Sequence, residues 1–109
     1  MDDDKPPITP SLILSSIAYA LKSEGAIKKI AGQYDTLLLA TVDMELKNST
    51  WAVVGVKKDV EEDKGWQVSV SSGFLEKTAR HYHLGDDDVI GVFSSEARMI
   101  SAVKRALGF

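Results

Sequence analysis

The feature that most constrains this chain is the uninterrupted apolar run Leu37-Leu38-Leu39-Ala40-Thr41-Val42, set between turn-prone segments. It is too short for a typical helix. Successive strand side chains point to opposite faces of a sheet, so the run predicts a central strand covered on both sides. A polar turn over 45–49 and the β-rich run Thr50-Trp51-Ala52-Val53-Val54-Gly55-Val56 predict its hairpin partner.

After a charged loop from Lys57 to Gly65, Trp66, Val68 and Val70 alternate with Gln67, Ser69 and Ser71. That period of two marks a third strand with one wet face. Val89-Ile90-Gly91-Val92-Phe93 reads as a fourth.

Helices are expected at three places. Thr9 and Pro10 form a good start, because threonine caps a free N–H and proline at the first helical position lacks one. Leu14, Ile17, Ala18 and Leu21 then recur at helical spacing, and Leu12 and Ile13 widen the stripe. Gly25 bends this helix or restarts it over Ala26–Ala31, with Gly32 closing it. Ser72 and Gly73 open a second helix bearing Phe74, Leu75, Thr78, Ala79 and Tyr82, which ends near Leu84 with Gly85 as its cap. Ser94 and Ser95 open the last, which carries Met99, Ile100, Val103 and Leu107 before Gly108. The order α-β-β-β-α-β-α predicts an α+β fold with a single four-stranded mixed sheet packed by helices.

Residues 1–8 combine an acidic run with two prolines and read as a disordered tail, leaving 9–109 as one domain. Three aspartates and one lysine in the first five residues supply most of the net charge of −3. The remainder is nearly neutral, which argues against general nucleic-acid binding. Lys28, Lys29, Lys104 and Arg105 with the faces of Trp51, Trp66 and Tyr34 are the residues such binding would use. Absence of cysteine excludes disulfides, thiolate nucleophiles and cysteine zinc sites, and it fits a cytoplasmic location. Leu12–Leu21 is shorter than the ~20 residues that span a membrane, so no membrane partner is expected.

No cofactor motif and no catalytic constellation stands out. His81 and His83 are spaced i, i+2, which turns their rings about 200° apart on a helix, so no metal site is expected there. Ser72 and His81 lie about 13 Å apart along the helix expected between them, too far to share a proton. One sharper feature is a weak repeat, in which Ser71-Ser72 and Ser94-Ser95 each end a strand and open a helix that stops at Leu-Gly. On parallel strands, both helix starts would reach one edge of the sheet. Ser71, Ser72, Gly73, Ser94, Ser95 and Arg98 would then hold a small phosphate- or carboxylate-bearing ligand.

Trp51, Trp66, Val68 and Val70 suggest more apolar area than one sheet face can cover, and hence an interface. The expected function is a small non-catalytic regulatory or adaptor domain that contacts a protein partner or a second copy of itself. The alternatives are the anionic-ligand site, and a small enzyme or nucleic-acid-binding module.

Overall fold

The computed structural model describes residues 9–36, 39–61, 65–75 and 84–109, with backbone only at Leu75. The acidic tail, Leu37, Leu38, His81, His83 and most of the helix expected after Gly73 lie outside these residues. The described chain runs α1 (Pro10–Ser23), β1 (Ile27–Asp35), β2 (Leu39–Leu46), β3 (Thr50–Lys58), β4 (Trp66–Leu75), β5 (Val89–Phe93) and α2 (Glu96–Ala106).

The class is α+β, but the sheet differs from expectation. It has five strands in the order β1-β2-β3-β4-β5, every neighbouring pair antiparallel, instead of four in a mixed arrangement. The added strand is β1, where a restarted helix was expected over Ala26–Ala31. Gly25 explains the switch. It takes a left-handed φ of +78° one residue after the helix cap Glu24. Its N–H donates to the carbonyl of Lys22, and the N–H of Ala26 donates to that of Leu21 at 2.9 Å. This paired closure ends a helix and turns the chain away, so the residues after it extend along β2.

Both helices lie on one face of the sheet. Ile13, Leu14, Ile17 and Leu21 of α1 and Met99 and Val103 of α2 form a single core with Ala40, Val42, Met44 and Leu46 of β2. Ala52, Val54 and Val56 of β3 and Trp66, Val68 and Val70 of β4 complete it. Thr9 caps α1 by accepting the N–H of Leu12, and Ser95 caps α2 by accepting that of Arg98. Gly108, at φ +90°, ends α2 with the same pair of bonds found at Gly25. Lys104 of α2 bonds and ion-pairs with Glu24, tying the end of the first helix to the last.

The run read as a two-sided central strand begins β2, whose described residues alternate between half-buried and buried. Thr41, Asp43 and Glu45 occupy its second face. The strand buried on both sides is β3, at the middle of the sheet, where Trp51 to Val56 are all buried. Its second-face residues Trp51 and Val53 pack with Ala31, Phe74 and Leu84 in a separate small cluster.

Two stability contrasts follow from this packing. Leu14 is fully buried and Leu12 half exposed. Leu14→Ala should cost about 3 kcal/mol in urea unfolding, and Leu12→Ala under about 0.5 kcal/mol. Gly25→Ala should cost about 1 kcal/mol through its positive φ. Gly85 has φ −114° and nothing within 4 Å of an added Cβ. Gly85→Ala should therefore leave stability unchanged or raise it by about 0.5 kcal/mol.

Candidate functional site

The two serine pairs do not meet. Ser71 and Ser72 lie inside β4, opposite Val53 and Ala52, and no helix starts there. Gly73 is the extra residue of a β-bulge between the pairs Ala52–Ser72 and Trp51–Phe74, and its φ of +96° is the conformation such a bulge requires. Because β4 and β5 are antiparallel, Trp66 at the start of β4 pairs with Phe93, the residue before Ser94. Ser71 is therefore about 17 Å along the strand from the level of Ser94 and Ser95. Ser95 and Arg98 stand at the start of α2, the helix start at that end among the described residues. The double helix-terminus site expected for a small anion is absent, because it needed parallel strands.

The expected interface is also buried within the chain. Trp66, Val68 and Val70 face α1 and α2, and Trp51 is covered on the second face. The sheet does carry the apolar area read from its sequence, but the helices cover it, so these four residues offer a partner no surface. Trp66 is edged by Lys58, whose Nζ lies 5.2 Å from the ring centroid. Burial of both tryptophans likewise removes them as stacking platforms for nucleic acid. Of the basic residues, Lys28 pairs with Glu45 at 3.7 Å and Lys104 with Glu24.

Exposed apolar side chains gather elsewhere. Leu12 and Tyr19 of α1 and Ile30 and Tyr34 of β1 are among the large hydrophobic residues most open to solvent. Ser15 accepts a 3.5 Å hydrogen bond from the Gln33 amide, fixing which side of α1 borders β1. Leu12 and Tyr19 flank Ser15 at helical spacings of three and four, so they share that side. Ile30 and Gln33 pair with Met44 and Val42 and so point to the helix-bearing face, whereas Tyr34, opposite Thr41, points to the other. Among the described residues β1 pairs with β2 alone, which leaves its outer edge open. Two bulges and Lys28 and Lys29 interrupt the first half of that edge, devices that discourage strand addition. Nothing in the sequence pattern marked this surface, because β1 lacks a two-residue hydrophobic period.

A shallow cleft of about 110 Å³, open to solvent, lies on the second face. Strand register builds it. Leu39, Lys57 and Gln67 are neighbours across β2, β3 and β4, and Thr41, Gly55 and Ser69 form the next row. Leu84, Gly85 and Asp86 supply the remaining wall. Asp88 holds that wall in shape, its carboxylate accepting the Gly85 N–H at 2.9 Å. Lys57, Gln67, Ser69 and Asp86 make no side-chain hydrogen bond or ion pair with described residues.

No protein-family model matches the chain, and no curated protein or solved structure shows significant similarity to it. None of the described helices is long and apolar enough to cross a membrane.

Gly55 seats Leu84 against the sheet. An added Cβ would lie 2.5 Å from Leu84 Cδ1 and 3.4 Å from Thr41 Cγ2. Gly55→Ala should displace Leu84 and cost about 1 kcal/mol. In a Leu84→Ala background the same change should cost less than half as much, giving a measurable coupling in a double-mutant cycle followed by urea unfolding.

Proposed function

We propose that this chain is a non-catalytic regulatory or adaptor domain of the cytoplasm that acts through protein contact, and that the α1–β1 side meets a second copy of the chain. The observation that carries the reading is the exposure of Leu12, Tyr19 and Ile30 on the helix-bearing side of two adjacent elements, with Tyr34 exposed on the other face of the same edge strand. Tyrosines suit such a role, since they bring a large apolar area with few rotamers to order.

Charge supports a second copy as the occupant. Lys28 and Lys29 stand at the start of β1 and Asp35 at its end. Two copies meeting antiparallel along this edge place the basic start of one opposite the acidic end of the other, and the two-fold axis makes the match twice. Lys29 and Asp35 are exposed and make no ion pair within the described chain. The bulged first half of β1 favours side-chain contact over a continuous ladder.

Sedimentation equilibrium tests the reading. The chain should dimerise at or below about 1 mM, the range of a contact worth about 4 kcal/mol. Tyr19→Glu should abolish the dimer. Lys29→Asp alone and Asp35→Lys alone should each be monomeric, whereas an equimolar mixture of these two variants should dimerise, since every charge pair across the axis is then complementary. A wild-type chain that stays monomeric at about 1 mM, or a mixture no more associated than its components, overturns the proposal.

A further inference from the structure

We infer that the second-face cleft binds a small zwitterion, an α-amino acid with an apolar side chain. Lys57 and Asp86 line the same cleft with opposite charges, yet they form no ion pair with each other. Two charges of opposite sign that line one opening and pair with nothing among the described residues match a ligand that carries both signs. Gln67 and Ser69 lie beside Lys57 through the strand register, and they offer further hydrogen-bond donors to a carboxylate placed there. Leu39 and Leu84 give the apolar wall, Leu84 being seated over Gly55.

The surroundings select against simpler ions. Asp87 and Asp88 follow Asp86 in the same three-residue turn, so this rim is acidic. A ligand with only a carboxylate or phosphate meets that acidic rim without an ammonium group to offset it. A ligand with only an ammonium group leaves Lys57 unmatched. The zwitterion satisfies both ends, and its side chain lies against the two leucines.

Titration of uniformly ¹⁵N-labelled protein, followed by amide resonances, provides the test. L-leucine should shift the amides of Gly55, Ser69 and Gly85 saturably in the millimolar range. 4-Methylpentanoate lacks the ammonium group and isoamylamine lacks the carboxylate, and each should bind about tenfold more weakly than L-leucine. Lys57→Gln and Asp86→Asn should each weaken leucine about tenfold with resonances elsewhere unmoved, which reports that the variants are folded. Absence of saturable shifts with about 10 mM L-leucine overturns the inference, as does equal binding of either singly charged analogue. The oligomeric state plays no part in the readout, so failure of the dimer leaves this inference standing or falling by itself.

Discussion

Everything else in this fold depends on the two-sided burial of β3. A sheet with helices on one face leaves the other face in contact with water, and a strand whose consecutive residues Trp51 to Val56 are all apolar or glycine tolerates that poorly. The first side is covered by α1 and α2. On the second, among the described residues, Ala31, Phe74 and Leu84 gather around Trp51 and Val53. Gly55 belongs to the same solution, since its missing side chain is the space into which Leu84 fits. The cleft begins where this cover stops, at the row in which polar Lys57 and Gln67 replace apolar residues.

How the sequence reveals these parts depends on how many neighbours each residue must satisfy. The helix α1 was legible from Thr9, Pro10 and the stripe through Leu14, Ile17, Ala18 and Leu21, because cap and packing point the same way. The hairpin of β2 and β3 and the alternation of Trp66, Val68 and Val70 were legible for the same reason. By contrast, β1 borders one strand among the described residues and buries only Ile27. Lysines and glycine at an open edge satisfy the edge itself, so they leave no strand signal. Ser72 and Gly73 misled because serine and glycine serve a helix start and a β-bulge equally well.

Faces and registers were harder to read than elements. Trp66, Val68 and Val70 announce an apolar face, but their sequence does not say whether a helix of the same chain or another molecule covers it. The proximity of Lys57 to Gln67 and of Gly55 to Ser69 arises from antiparallel pairing across a charged loop, and no local pattern encodes it. The expected anion site failed on the same point, since strand direction between β4 and β5 decides whether their far ends converge.

The strand order also bears on how the chain assembles. Every described strand pairs with its neighbours in sequence, so the sheet can zip from one hairpin to the next, with short connections from β1 to β4 and a longer one, residues 76–88, before β5. The contact between α1 and α2 is of another kind. Lys104 and Glu24 are 80 residues apart, and their meeting joins the two ends of the described chain over a sheet that local pairing has already drawn together. The cost of that long closure falls mainly on the strand pairings before it, so the topology suits quick folding for a protein with so much sheet, with the helix pair acting as a clasp on a nearly finished structure.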